Sequence, residues 1–260
     1  MADTVQHIPA SLHRFSTRKN TCLSGHLPDY PLPKGVSAPF AGFIGDWLVV
    51  AGGCNFPDIP ASEGGKKVYY SQGYALDTHA ASPQWFPLPD LPYPVAYGAS
   101  VETPQGLVCI GGMNADSCLT QVYRLTWNEA EGFSVQHLPA LPETIDNASA
   151  TRAGNNIYVT GGNQQYGQNN LYTLNPETDS VWTKLTPYPG PYRVQPVLAA
   201  GKNHLFLAGG FQSFPESKTC ILPPTCWNMT SIPDNGNKVL NFLLKKTDNP
   251  DAWLEVQVSA

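Results

Sequence analysis

The sequence predicts an all-β fold, and three observations support this prediction. Glycine and proline supply 23 and 25 of the 260 residues, a turn-rich composition that disfavours long helices. Short runs of β-branched and aliphatic residues alternate with these turns, as strands do. A strand-like run that ends in two glycines also occurs four times. Because 42% of the residues are hydrophobic, the chain can bury a sizeable core in one large domain or two small ones.

The diglycine runs recur at similar intervals. They read WLVVAGG, GLVCIGG, NIYVTGG and HLFLAGG, and they end at Gly53, Gly112, Gly162 and Gly210, which are 59, 50 and 48 residues apart. A strand candidate and a turn precede each run, and a third and a fourth strand candidate follow three of them. Four short antiparallel strands at a period of about 50 residues are typical of kelch repeats. We therefore predict a kelch-type β-propeller with four recognisable blades.

The two glycines have a physical role in such a blade. They allow the second strand to end near the crowded central axis, where a Cβ atom would clash or the backbone needs a positive φ. In a four-stranded meander, the loop after the second strand lies on the same face as the connection from one blade to the next, so the residues just after each glycine pair are expected to neighbour those that open the next blade. These two sets of segments are therefore expected to surround the mouth of a central channel.

Polar side chains occur in both sets of segments. The segments after the glycines carry Asn55, Asn114 and Asn163, and those that open the blades carry Tyr97, Asp146, Asn147, Tyr192 and Arg193. Amides, phenols and an arginine around a funnel suit a polyhydroxylated or carboxylated small molecule. The alternative is that each Asn caps a turn or adopts the left-handed conformation.

Composition disfavours several other classes of partner. The formal net charge is −5 and Lys and Arg form no long run, so we expect no nucleic acid or anionic membrane as a partner. No stretch of about 18 apolar residues is present, so no membrane span is expected. The first residues lack the continuous apolar core of a signal peptide. The six cysteines lack zinc-ligand spacing, which predicts ordinary buried or loop thiols and no metal.

Two segments carry a resemblance to a known family. GVSAPFAGFIGDWLVVAGGCNFPDIPASEGGKKVYYSQGYALD and YPVAYGASVETPQGLVCIGGMN resemble the cyclically permuted mutarotase proteins of the N-acetylneuraminate epimerase (sialic acid mutarotase) group. The resemblance covers roughly residues 31–214. It implies a six-bladed kelch propeller, usually periplasmic or secreted, that interconverts the anomers of sialic acid. It also implies that the enzyme needs no cofactor, and it leaves a homodimer open.

The resemblance also suggests roles for individual residues. The loop from Asn55 to Lys67 would form a lid that carries Lys66 and Lys67 toward an anionic sugar acid. Mutarotation needs one group to take the proton of the anomeric hydroxyl and another to protonate the ring oxygen. A fixed arginine suits the carboxylate of the sugar, and Arg193 is the candidate for this clamp.

Acidic residues near the expected mouth are few. They are Asp58, Glu63 and Asp146, and Asp146 is the candidate base. The Glu and Arg that the family is proposed to use in catalysis, a Glu after a glycine and an Arg several residues on, have no counterpart here. Four of the expected six blade motifs are present. We therefore expect impaired activity; the alternatives are a non-catalytic kelch module that binds a glycan or protein, and an inactive truncated remnant.

The chain divides into three segments by pattern. Residues 1–30 are an atypical N-terminal segment, residues 31–218 hold the blades, and residues 219–260 form a divergent tail without a recognisable third strand. Our hypothesis is that this tail comes from a shifted reading frame. Read one frame over, the codons for Cys-Trp-Asn-Met-Thr at 226–230 give Leu-Glu-(Tyr or His)-Asp, which resembles Tyr-Ala-Leu-Asp at 74–77.

Overall fold

A computed structural model describes residues 27–165, 169–201, 204–214, 219–221, 227–230 and 241–244. Within these residues the regular structure consists of antiparallel strands and one short 3-10 turn, Ala61–Glu63, so the predicted all-β class is confirmed. None of the described helical segments is long and apolar enough to cross a membrane.

Sixteen of the described strands form four consecutive four-stranded sheets, which we call blades 1 to 4. Blade 1 comprises Phe40–Ile44, Trp47–Ala51, Gly73–Asp77 and Trp85–Pro87; blade 2 comprises Ala99–Thr103, Gly106–Ile110, Val122–Asn128 and Gly132–Leu138. Blade 3 comprises Ser149–Ala153, Asn156–Thr160, Leu171–Leu174 and Thr183–Leu185; blade 4 comprises Val197–Ala200, His204–Ala208, Trp227–Thr230 and Asn241–Leu244. In each blade, neighbours in sequence are neighbours in the sheet.

Three short ribbons extend the loops of these blades. They pair Cys54–Asn55 with Val68–Tyr69, Ile145–Asp146 with Asn163–Gln164, and Gln212–Phe214 with Thr219–Ile221. The second ribbon joins the segment that opens blade 3 to the segment after the glycines of the same blade. The prediction that the residues after a glycine pair lie beside the opening of the next blade is therefore wrong for this ribbon, because the ribbon continues the pairing of the first two strands of blade 3.

The divergent tail supplies the outer half of blade 4. Trp227–Thr230 pairs with His204–Ala208 as a third strand, and Asn241–Leu244 pairs with Trp227–Thr230 as a fourth. This third strand was not predicted because it lacks the Tyr-x-Leu pattern shared by the other third strands, at residues 74–76, 123–125 and 172–174. The hypothesis of a shifted reading frame concerns the coding DNA, and the strand pairing of the tail does not test it.

Core clusters lie between successive blades. Tyr123 and Leu125 of blade 2 are 1% and 2% exposed and belong to one cluster with Phe40 and Val49 of blade 1. The equivalent Tyr172 of blade 3 packs in the same way against blade 2. Burial of each such side chain stabilises the fold by about 1.5–3 kcal/mol. In blades 2 and 3 the Tyr-x-Leu pattern therefore holds the blade to the one before it.

The glycine pairs link each blade to the next. The second glycine of each pair has a positive φ, and in the first three pairs its N–H donates to a carbonyl that opens the following blade. The three bonds are Gly53 to Val95 at 2.7 Å, Gly112 to Ile145 at 2.8 Å, and Gly162 to Arg193 at 2.7 Å. A Cβ on the first glycine would also crowd the next blade, since at Gly111 it would lie 2.4 Å from the oxygen of Ile145. The role predicted for the diglycine is observed.

Candidate functional site

A row of left-handed residues runs across the blades at the end where the glycines lie. One non-glycine residue with positive φ opens each blade, namely Ala38, Tyr97, Asn147 and Gln195, with φ of 51°, 63°, 53° and 52°. The N–H of each of the last three donates to the carbonyl of the one before it, at 2.9, 2.7 and 2.8 Å. This row was not predicted because the four residues share a spacing but no residue type.

The four residues of this row line one cavity. Its volume is about 210 Å³. It is lined by Ala38, Tyr97, Gly98, Asn147, Ala148, Gln195 and Pro196. Within it, Nε2 of Gln195 donates to Oδ1 of Asn147 at 2.9 Å. Two of the sequence-predicted residues, Tyr97 and Asn147, are therefore brought together, and we call this region the axial mouth.

A lysine is held at the axial mouth. Nζ of Lys67 donates to Oη of Tyr97 at 2.8 Å and lies 5.0 Å from the centre of that ring and 5.7 Å from the ring of Phe56. The hydrogen bond to Tyr97 raises the pKa of Lys67, and partial desolvation opposes this shift. The side chain is therefore a positioned cation across the physiological pH range.

A buried carboxylate lies beside the axial mouth. Asp146 is 2% exposed. Its Oδ1 accepts from Nδ2 of Asn147 at 2.6 Å and from Nδ2 of Asn163 at 2.8 Å, and its Oδ2 accepts from Sγ of Cys118 at 3.2 Å. Burial, together with the Asp146 carboxylate, raises the pKa of the Cys118 thiol to about 11. The thiol therefore stays protonated and acts as a donor.

Contacts connect the lysine to the carboxylate. Lys67 bonds Tyr97, the carbonyl of Tyr97 accepts the N–H of Asn147, and Nδ2 of Asn147 bonds Asp146. Both charges also act on Tyr69, whose pKa is raised mainly because the side chain is partly buried. The positive charge of Lys67 opposes this rise in pKa, and the negative charge of Asp146 adds to it. The axial mouth thus combines a cation, a phenol and a carboxylate in one connected cluster.

The other predicted asparagines serve the local fold. Asn55 is buried; its Nδ2 donates to two backbone carbonyls between residues 33 and 35, and its Oδ1 accepts from Tyr70 at 2.7 Å. Asn114 caps a turn, since its Oδ1 accepts from the backbone N–H groups two and three residues further on, both at 2.9 Å. The structure therefore supports the turn-capping alternative for Asn114, whereas Asn55 fixes the segment that precedes blade 1.

Arg193 lies in the interior of the protein. It is 0% exposed, and its Nη1 donates to the carbonyl of Gly209 at 2.6 Å. Its backbone N–H donates to Oη of Tyr188, whose pKa burial raises to about 12. A clamp for a substrate carboxylate needs an accessible guanidinium, which this position does not offer. Tyr192, its neighbour, lines a second cavity of about 280 Å³ together with Asn163.

The loop expected to form a lid is a folded ribbon. Its base pairs Cys54–Asn55 with Val68–Tyr69, and this pairing carries Lys67 to the axial mouth. The N–H groups of Gly64 and Gly65 donate back into the 3-10 turn. The other charged side chains of the loop, Asp58, Glu63 and Lys66, are exposed. Sequence reasoning could not separate Lys66 from Lys67, because the ribbon register decides which of them faces Tyr97.

The described residues contain no group of three or more His, Cys, Asp or Glu side chains that could hold a metal ion.

Comparison with known proteins supports the resemblance seen in the sequence. The N-acetylneuraminate epimerase of Brucella melitensis biotype 1 is 33% identical over 121 residues, which are 44% of this chain and 30% of that protein. The N-acetylneuraminate epimerase of Yersinia enterocolitica is 33% identical over 104 residues, 36% of this chain and 26% of that protein. The matches therefore span a third or less of the length of these relatives. No family model matches the chain.

A solved structure supports the fold over a longer part of the chain. The structure titled "Structure of YjhT" aligns with a TM-score of 0.59 at 18% sequence identity, covering 86% of this chain and 68% of that chain. Together with the four observed blades, this alignment confirms the predicted propeller. The chain is a kelch-type β-propeller that is similar in sequence, over part of its length, to the N-acetylneuraminate epimerases.

Proposed function

We propose that the axial mouth binds a sugar acid of the sialic acid class and interconverts its anomers by acid–base ring opening, at an impaired rate. The observation that carries the proposal is the Lys67 ammonium fixed on Tyr97 and connected through Asn147 to Asp146. The names of the partial relatives supply the substrate class. The relatives match part of the chain, and we propose this function for the chain as a whole.

Lys67 is the group that recognises the carboxylate of the sugar. An ammonium has three donor hydrogens, and the bond to Tyr97 uses one of them. The remaining hydrogens can therefore reach a carboxylate oxygen. Charge-assisted hydrogen bonds of this kind contribute about 1.5–3 kcal/mol each. Lys67 thus takes the role that the sequence suggested for Arg193.

Tyr97 and Asp146 supply the proton transfers. Lys67 donates to the oxygen of Tyr97, so the phenol keeps its own hydrogen for the ring oxygen of the sugar. Asp146 takes the proton of the anomeric hydroxyl while the bond between the anomeric carbon and the ring oxygen breaks. The open-chain keto form results, and closure on the other face of the carbonyl returns both protons. No oxidant or further reactant is needed.

The surroundings of Asp146 account for the impaired rate. Two amide donors occupy Oδ1, and the Cys118 thiol occupies one site on Oδ2. A substrate hydroxyl has to reach Oδ2 through this thiol, which is the weakest donor of the three. The carboxylate is also 2% exposed, so access requires local movement.

The test is anomer exchange of N-acetylneuraminate followed by NMR. The wild-type chain should accelerate exchange over buffer, and Tyr97→Phe and Asp146→Asn should each remove most of this acceleration, since general acid–base catalysis supplies about 10²–10⁴-fold. Lys66→Ala is the matched control and should retain it. Absence of both binding and acceleration in the wild-type chain would contradict the proposal and favour an inactive remnant.

A second candidate function is that of a kelch module that binds a glycan without catalysing its conversion. The three donors on the buried Asp146 carboxylate favour it, because a carboxylate that already accepts three hydrogen bonds is a poor base. In the same experiment this candidate predicts sugar-acid binding that depends on Lys67 together with an exchange rate equal to that in buffer.

A further inference from the structure

An aromatic cluster lies between blades 1 and 2, away from the axial mouth. The ring of Trp47 contacts those of Phe86, Trp127 and Phe133 at centroid distances of 5.6, 5.0 and 5.4 Å, and Trp127 and Phe133 are 4.5 Å apart. Phe86 is 48% exposed and Trp127 is 37% exposed. Large aromatic side chains rarely remain this exposed side by side unless the surface has a binding role.

The cluster lines a groove of about 540 Å³. The lining residues are Trp47, Phe86, Pro87, Leu88, Pro89, Trp127, Gly132 and Phe133, and we call this surface the aromatic groove. Trp47 follows the turn between the first two strands of blade 1, and Trp127 and Gly132 flank the turn between the last two strands of blade 2. These turns lie at the opposite end of the blades from the glycine pairs, and the groove shares no lining residue with the axial mouth.

The segments that carry the groove are acidic. Residues 41–50, 74–91, 99–110 and 125–135 contain neither Lys nor Arg. The same segments contain Asp46, Asp77, Asp90, Glu102, Glu129 and Glu131. Asp46 is paired with His79, at 3.3 Å between Nε2 and Oδ1, while Glu129 and Glu131 are exposed in the turn beside Trp127. The surroundings of the groove therefore attract a cation.

We propose that the aromatic groove docks a basic peptide segment of a partner protein, in which Arg or Lys alternates with proline or aliphatic residues. Arg side chains stack on exposed indole rings and pair with the flanking carboxylates. Proline and aliphatic side chains fill the apolar floor, as extended peptides do in aromatic-lined grooves. This inference does not depend on the sugar-acid proposal, because the two sites share no residue.

The lining itself argues against two other ligands. The indole N–H groups are the only polar side-chain atoms among the described lining residues, whereas a sugar needs several hydrogen-bond partners. The carboxylates would repel an anionic lipid surface. A cationic and partly apolar peptide satisfies both the lining and the charge.

The experiment measures fluorescence anisotropy of a labelled peptide of alternating Arg, Pro and Leu on addition of the full chain. We expect saturable binding that weakens as salt rises. Trp127→Ala should weaken it about tenfold or more, as expected for a central aromatic residue of an interface. The double variant Glu129→Lys, Glu131→Lys leaves the aromatic floor intact and should weaken binding by a similar factor, which keeps the test valid if Trp127→Ala does not fold.

Matched controls distinguish peptide binding in the aromatic groove from non-specific binding elsewhere on the protein. Tyr93→Ala removes an aromatic side chain that is 47% exposed outside the groove lining, and it should leave peptide affinity unchanged. The same peptide with Glu in place of Arg should not bind. Equal affinity for both peptides, equal loss in the Tyr93 variant, or binding of phosphatidylserine vesicles in place of the Arg peptide would overturn the proposal. Sugar-acid binding should be unaffected in every groove variant.

Discussion

Replacing Gly111 by Ala tests why each blade ends its second strand on two glycines. Gly111 has φ of 58°, and a Cβ there would lie 2.4 Å from the carbonyl oxygen of Ile145 in the segment that opens blade 3. That oxygen accepts the N–H of Gly112 at 2.8 Å. The Ala variant therefore combines left-handed strain with a displacement of the neighbouring blade by about 0.6 Å or more.

Gly209 offers a matched control. It occupies the same place in the fourth diglycine with φ of 62°, but a Cβ at this position would have no described atom within 4 Å. Gly209→Ala should therefore cost only the left-handed strain, about 1 kcal/mol. Gly111→Ala should cost about 3 kcal/mol or more, since crowding adds about 1–3 kcal/mol and the bond from Gly112 adds about 1 kcal/mol.

The assay is urea unfolding followed by circular dichroism, with the free energies of unfolding compared between the two variants. We expect Gly111→Ala to be less stable than Gly209→Ala by about 2 kcal/mol, which corresponds to about 4–8 °C in Tm for a chain of this size. If the two variants lose the same stability, the diglycine serves only the turn of its own blade, and the inter-blade explanation is wrong.

Three further predictions concern other parts of the molecule. Burial and the Asp146 carboxylate raise the pKa of Cys118 to about 11, so alkylation of this thiol by iodoacetamide should be slow near neutral pH and accelerate toward that pKa, as measured by site-resolved mass spectrometry. Asp146→Asn should move this pH profile to lower pH. Alkylation of the wild-type chain at the rate of a free thiol would contradict the contact between Cys118 and Asp146. Glu177→Gln removes the carboxylate that pairs with the guanidinium of Arg124, whose side chain is 6% exposed, and it should lower the free energy of unfolding by about 1–3 kcal/mol. The control Glu131→Gln changes an exposed residue and should alter the free energy of unfolding little. Equal effects of the two variants would show that the ion pair between blades 2 and 3 does not stabilise the fold. The coding DNA of the tail should contain a shifted frame that continues a blade pattern; an immediate stop codon in that frame would refute the hypothesis.

The repeat architecture was predictable because the diglycine is required by geometry that every blade shares. In the first three pairs a neighbouring carbonyl approaches within contact distance, so a side chain does not fit and the motif is visible in one sequence. The third strand of blade 4 was not predictable for the opposite reason. Strand pairing at Trp227–Thr230 uses backbone groups, and its residues carry none of the Tyr-x-Leu pattern used to recognise the others.

The sequence predicted which segments share a face of the protein, but it did not predict which of their side chains line the axial mouth. The shared face of the two kinds of segment follows from topology, and Asp146 and Asn163 do meet there. Asn55 and Arg193 have suitable chemistry at suitable positions, but their hydrogen bonds to backbone carbonyls hold them in the interior. A sequence shows which groups can bind a ligand, and it does not show which of them are already occupied by the protein.

The most direct measurement is isothermal titration calorimetry of N-acetylneuraminate with the wild-type chain, Lys67→Ala and Lys66→Ala. Lys67 is fixed on Tyr97 at the axial mouth, whereas its neighbour Lys66 is exposed on the loop. We predict that Lys67→Ala weakens binding about tenfold or more, as expected for one charge-assisted hydrogen bond, and that Lys66→Ala leaves the affinity unchanged. Equal affinities for all three chains would contradict a sugar-acid site at the axial mouth.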